Sequence, residues 1–151
     1  MKLAEALVLR ADMAKRLDQL KARILRNAKV QEGDSPAEDP ATLLSEHDHV
    51  ASEMQALIAR INRTNSRTEF AGGTLSDALA ARDVLRLRQA TYRDLAEEAT
   101  VTQFVATRSE VRFRPSVDVA QIQKQADKLS QELRTLDARI QEANWLTTLA
   151  E

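Results

Sequence analysis

Arg10, Asn62, Asn65, Arg82 and Asp137 are the residues of this chain whose types and positions suit them best to chemistry. Leu57, Ile58 and Ile61 share one stripe of a helix, and Asn62, Thr64 and Asn65 continue that stripe with groups that need hydrogen-bond partners if buried. If the helices of the chain run up and down, Arg10, Arg82 and Asp137 fall near the level of Asn62 to within about one 5.4 Å turn. Two arginines facing inward with two asparagines to orient the guest would suit a phosphate or carboxylate. The alternative is that the five groups satisfy one another and fix helix register, as polar residues in coiled-coil seams do at some cost in stability. No glycine-rich phosphate loop accompanies them.

A second constellation is Glu46, His49 and Glu53. Glu46 and His49 have the Glu-x-x-His spacing of carboxylate-bridged di-metal helical bundles, and Glu53 lies one turn beyond. The rest of such a centre needs a second Glu-x-x-His and two further carboxylates, which this chain lacks, so only a dimer would complete it; no metal site is expected. His47 belongs to the apolar seam, as a hydrogen-bonded interface histidine would. The acidic run Glu32, Asp34, Glu38 and Asp39 lacks the spacing of an EF-hand loop and reads as solvated charge. Arg108, Arg112 and Arg114 beside Phe104 and Phe113 would suit stacking on single-stranded nucleic acid. Nothing resembles a G-x-S-x-G elbow or a paired-carboxylate motif, so no catalytic residue and no cofactor are assigned.

The elements that must position these residues are helices. Leu3, Ala6, Met13, Leu17, Leu20 and Ile24 step by threes and fours, with Arg10 and Asn27 as the polar members of the seam. Gln31 to Glu38 is polar and carries Gly33 and Pro36, the mark of a loop, and Asp39-Pro40 supplies an N-cap with proline at the first helical position. The second seam is Leu43, His47, Val50, Met54, Leu57, Ile61 and Thr64, and Gly72-Gly73 then mark a turn. Thr74 with Asp77 resembles a capping box opening a third helix, whose apolar residues cover more than half its circumference, as on a helix contacted from several sides. Around 101–115, β-branched residues and the alternation Val111-Arg112-Phe113-Arg114 fit a small β-hairpin, with its turn near 107–109, or a structured loop. Asp118 as N-cap with Gln121 at the capping-box position starts a fourth helix with the seam Ile122, Ala126, Leu129, Leu133, Leu136, Ile140 and Ala143.

The expected fold is therefore all-α. Four long antiparallel helices, about 2–29, 40–66, 75–100 and 118–147, form a coiled-coil-like bundle in a single domain spanning 1–151. Each would be roughly 40 Å long at about 1.5 Å per residue. Seams this narrow commonly find partners in another chain, so a homodimer or an assembly of dimers is expected.

Composition narrows the function classes. Of 151 residues 30% are charged, yet the net charge is only −1, which argues against a general binder of nucleic acid or anionic membranes. The absence of cysteine excludes disulfides and thiolate chemistry. The chain enters an amphipathic pattern at once, with no apolar signal core, and no segment has the roughly 20 apolar residues of a membrane span, so a cytoplasmic protein is expected.

Several stretches carry a family likeness: Met1 to Leu7, Leu9 to Asp12, Val30 to Gly33, Ile61 to Asn65, Ala81 to Leu85, Arg108 to Glu110, and Ala138 to Trp145. Through them the chain resembles, over nearly its whole length, the largely actinobacterial helical family often labelled septicolysin. The resemblance implies an all-helical architecture and no catalytic residues, and the label implies a cytolysin. The sequence itself offers no amphipathic β-hairpin pair to build a pore and no cysteine for thiol activation. The reading that results is a non-enzymatic oligomeric scaffold or interaction module, with itself and an unidentified protein as partners. The alternative is a helical binder of anions, nucleotides or nucleic acid through its arginine clusters.

Overall fold

The computed structural model describes residues 1–101 and 111–151. It contains four helices, α1 (Leu3–Arg26), α2 (Pro40–Arg67), α3 (Leu75–Ala99) and α4 (Val119–Leu146), and one two-stranded antiparallel sheet, β1 (Glu69–Phe70) with β2 (Gly73–Thr74). The fold is all-α with a small hairpin. The chain divides into two compact units, one of Met1–Leu75 and Gln141–Glu151, the other of Ser76–Ile140.

In the first unit α1 and α2 pack as an antiparallel pair. The predicted seams face inward: Leu20, Leu43 and Val50 are buried together, with Met13, Leu17 and Ile24 packed against them. Each of the three buried side chains contributes on the order of 2 kcal/mol by leaving water. Arg10, the polar member of the α1 seam, is exposed.

The turn from α1 to α2 is closed by polar contacts that seam reasoning does not supply. Arg23 donates both guanidinium hydrogen bonds to Glu38, one of them Nε to Oε2 at 3.1 Å. Asn27 donates to the Arg23 carbonyl at 2.9 Å and accepts the Glu38 backbone N–H at 3.1 Å. Gly33, at φ +86°, takes the left-handed conformation that lets the loop reverse. The bond from Arg23 holds the Glu38 carboxyl below its ordinary pKa. Asp39 caps α2 as expected, accepting the Thr42 hydroxyl at 2.7 Å and the Ala41 and Thr42 N–H groups at 3.3 Å. These bonds, the Thr42 hydroxyl foremost, lower its pKa too.

The connection from α2 to α3 is a hairpin with a two-residue loop, Ala71 and Gly72, both at positive φ of 48° and 83°. That pair of left-handed residues twists in the sense of the flanking strands, which is why the turn closes so tightly. The sequence marks the turn through its glycines, but strands of two residues are too short to show period-two alternation. The hairpin anticipated at 101–115 has its turn outside the described residues, and 111–115 are irregular.

In the second unit α3 and α4 run antiparallel: Arg86 meets Asp137, and one turn further along α3 Gln89 donates to the Ser130 hydroxyl at 3.0 Å. Asp118 accepts the Gln121 N–H at 3.1 Å and so caps α4 as the sequence predicts. The buried residues of this unit are Ala78, Ala96, Ala126, Leu129 and Ile140. Alanines at a contact draw helix axes together, and they also leave a core of small volume.

Candidate functional site

The polar end of α2 is bonded to residues far away in the sequence. Leu57, Ile61 and Thr64 are buried at 6%, 1% and 3% exposure, so the inward stripe continues through Thr64. Asn62 is exposed and Asn65 half-buried. The reason is helical geometry: Thr64 lies three residues from Ile61 and shares its face, whereas Asn62, one residue on, is rotated by about 100°.

Thr64 finds its partners in the last residues of the chain. Its hydroxyl donates to the Arg60 carbonyl at 2.8 Å and accepts the Ala150 N–H at 2.9 Å. Arg60 Nε donates to the Ala150 carbonyl at 2.9 Å, and Arg63 donates to the Glu151 carbonyl at 3.0 Å. The same segment is held from the other side by residues 1–3. Leu3 N–H donates to the Thr147 carbonyl at 2.9 Å, Leu149 N–H to the Met1 carbonyl at 3.0 Å, and the Lys2 ammonium to the Leu146 carbonyl at 2.9 Å. Leu149, 5% exposed, is the apolar anchor between them. Arg60, Arg63 and Thr64 thus form a clamp for an extended peptide, which here is residues 149–151. Sequence reasoning singled out this stretch of α2 without finding its partner, and its one signal is Leu149, a lone apolar residue beyond the end of α4.

In the second unit Arg82 and Asp137 do come together, their side chains 3.7 Å apart, and Arg86 reaches the other carboxylate oxygen at 3.4 Å. Asp83 pairs with the same arginines at 3.4 and 3.9 Å. Asp137 Oδ1 is buried and has no hydrogen-bond partner among the described residues, and the charge facing it is that of Arg82, with Arg86 on the other oxygen of the same carboxylate. A carboxylate between two guanidinium groups occupies the place an anionic ligand would take.

The Glu46, His49 and Glu53 set does not converge. Glu46 accepts from Arg16 at 2.7 Å, His49 lies 3.4 Å from Glu53, and His47 lies 3.4 Å from Asp48. Among the described residues no group of three His, Cys, Asp or Glu side chains is placed to hold a metal ion. Arg112, Phe113 and Arg114 are exposed, whereas Phe104 and Arg108 fall outside the described residues. Among the described residues no helix is long and apolar enough to cross a membrane.

Known proteins add a family and a relative. No curated protein matches the chain. The chain is similar to the crystal structure of a functionally unknown conserved protein from Corynebacterium diphtheriae, at 44% identity over 99% of each chain and a TM-score of 0.94. Neither that description nor the family's carries the septicolysin label, and neither names an enzymatic activity. The family model covers residues 10–149, and the chain therefore belongs to the family of unknown function DUF6847.

Proposed function

We propose that the protein is a non-enzymatic, cytoplasmic scaffold or interaction module that works by assembling with copies of itself through its long helices. The observation that carries this reading is an apolar cleft of about 250 Å³ on the α1–α2 pair, lined by Lys21, Ile24, Leu25, Leu44 and His47. Leu25 and Leu44 are 63% and 50% exposed there, although the seam beside them is closed. Apolar side chains gathered in an open groove between helices are the usual seat for a helix or loop of a partner. Arg10, Asn62 and Asn65, polar positions that the first unit leaves exposed or half-buried, are read as polar contacts at the same class of interface. The runner-up, an anion or nucleic-acid binder, is weakened because Arg82 and Arg86 already face Asp137.

Sedimentation equilibrium of the purified protein across micromolar concentrations tests the reading. A dimer or larger species, with helicity that rises on association, is the expected result. A monomer at every concentration would overturn it. Retention on nucleic acid that weakens with salt would replace it by the runner-up.

A further inference from the structure

Residues 147–151 lie along the end of α2 as a bound peptide would, and their bonds are made by the main chain. The Thr147 carbonyl accepts from Leu3 N–H at 2.9 Å, and Leu149 N–H donates to the Met1 carbonyl at 3.0 Å. Ala150 uses both its groups, the N–H donating to the Thr64 hydroxyl and the carbonyl accepting from Arg60. Lys2 and Thr148 form an antiparallel bridge, so the segment adds to residues 1–3 as a short strand. Leu149 is the segment's one buried side chain, whereas Thr148 and Glu151 are exposed. A site that pairs with a peptide backbone and reads one apolar side chain accepts any extended segment with that side chain in place.

The two arginines say what a better-matched occupant would carry. Arg60 Nε donates to the Ala150 carbonyl at 2.9 Å and Arg63 Nη2 to the Glu151 carbonyl at 3.0 Å, and among the described residues neither guanidinium is ion-paired with an Asp or Glu side chain. A guanidinium has five N–H donors, so each keeps several for a carboxylate, whose charge-assisted bonds are roughly twice as strong as those between neutral groups. Three residues apart on α2, Arg60 and Arg63 are neighbours on one flank of the helix. A tethered occupant is present at an effective concentration on the order of 1 mM, so an incoming segment displaces it by making the carboxylate bonds that the resident does not.

We propose that Arg60, Arg63 and Thr64, with the backbone of Met1–Leu3, are a recognition site for an extended acidic peptide of another protein, and that residues 147–151 are its displaceable occupant. The fitting segment has an aliphatic residue followed two or three positions on by a carboxylate, of a side chain or of a chain end. The resident's hold is light enough for exchange: it has one buried side chain, and the bonds from Lys2 and Arg63 lie at exposed positions. The site lies wholly in the first unit and is separate from the α1–α2 cleft, so it goes beyond the self-assembly reading and stands or falls apart from it.

Fluorescence anisotropy of a labelled synthetic peptide, Thr-Thr-Leu-Ala-Glu-Glu with its end amidated, tests the proposal on the full chain in three forms: unaltered, Leu149→Asn, and Leu149→Asn combined with Arg63→Ala. Leu149→Asn releases the resident by removing its apolar anchor without adding charge. The peptide is expected to bind folded Leu149→Asn about 10-fold more tightly than the unaltered chain, and about 10-fold more weakly once Arg63→Ala is added. The same peptide with glutamine in place of both glutamates should also bind about 10-fold more weakly. Whether a free chain end on that neutral peptide restores binding tells a terminal carboxylate from a side-chain one. If folded Leu149→Asn does not bind the acidic peptide, or binds it equally with and without Arg63, the proposal is overturned. Equal binding of the acidic peptide and of both neutral forms overturns it as well. Should Leu149→Asn lose helicity by circular dichroism, the unaltered chain decides: excess acidic peptide must speed hydrogen exchange at the Leu149 and Ala150 amides, and unchanged exchange refutes the site.

Discussion

Replacing Thr64 by valine isolates the clamp at the end of α2, because valine keeps the shape and both methyl-sized branches and removes only the hydroxyl. Two hydrogen bonds go with it. The bond to the Arg60 carbonyl is the smaller loss, since that carbonyl also receives a helical N–H from the turn above. The bond from the Ala150 N–H is the larger, because Ala150 is half-buried and its N–H donates to the Thr64 hydroxyl. A lost hydrogen bond costs about 1 kcal/mol, and a donor left unmatched costs about 1–3 kcal/mol when fully buried. Half-burial discounts the second figure, and the extra apolar burial of valine offsets part of the first. The net expectation is a loss of about 1–2 kcal/mol, or roughly 2–8 °C in Tm for a chain of this size. Thermal unfolding by circular dichroism gives the global figure. Hydrogen exchange gives the local one: the amides of Leu149 and Ala150 should lose protection while Leu20 and Val50 keep theirs. Thr64→Ser, which retains the hydroxyl, should preserve that local protection. A valine variant as stable as the parent, with unchanged exchange at 149–150, would refute the idea that Thr64 holds the end of the chain.

Two further perturbations probe the connections between helices. Gly72 sits at φ +83° with open space where a side chain would go, so Gly72→Ala should cost about 1 kcal/mol through backbone strain alone, and Ala71→Asn, which suits the left-handed turn, should raise Tm; urea titration of both variants checks the signs. Glu38 and Asp39 have carboxyl pKa values lowered in the folded chain, by Arg23 and by the Thr42 hydroxyl respectively, so their stabilisation is present above their unfolded values near about 4 and is lost as pH falls through the folded ones. Tm should be flat above about pH 5 and decline below it, and Glu38→Gln with Asp39→Asn should flatten that decline; an unchanged acid limb would show that these carboxylates carry none of it.

What could be read in advance was whatever repeats along one helix. The inward positions of α1, α2 and α4 and the caps at Asp39 and Asp118 all follow from spacing and local hydrogen-bonding chemistry, which need no knowledge of the rest of the chain. What stayed hidden depends on residues far apart. The polar stretch of α2 was conspicuous, but Thr64 meets Ala150 across more than half the sequence, and no periodic signal marks 147–151. Arg23 and Glu38 close a loop whose composition announces only that it is polar. The hairpin at 69–74 is set by two backbone torsions rather than by side-chain alternation, which strands of two residues are too short to display.

The same division explains why α3 was both the least tidy helix in the sequence and the most informative in the structure. Apolar residues over more than half a helix's circumference predict contact on more than one side. Within the chain one side of α3 is buried at Ala78 and Ala96 and meets α4 through the Arg86–Asp137 and Gln89–Ser130 contacts, and the other keeps Val84, Leu87 and Leu95 exposed. Leaving those three side chains uncovered forgoes stabilisation of order 1 kcal/mol or more each, in a unit whose buried set is three alanines, one leucine and one isoleucine. A helix that buries alanines on one side and keeps Val84, Leu87 and Leu95 exposed on the other has its spacing to its neighbour set by the small residues, and its missing burial is supplied by whatever meets the outer stripe.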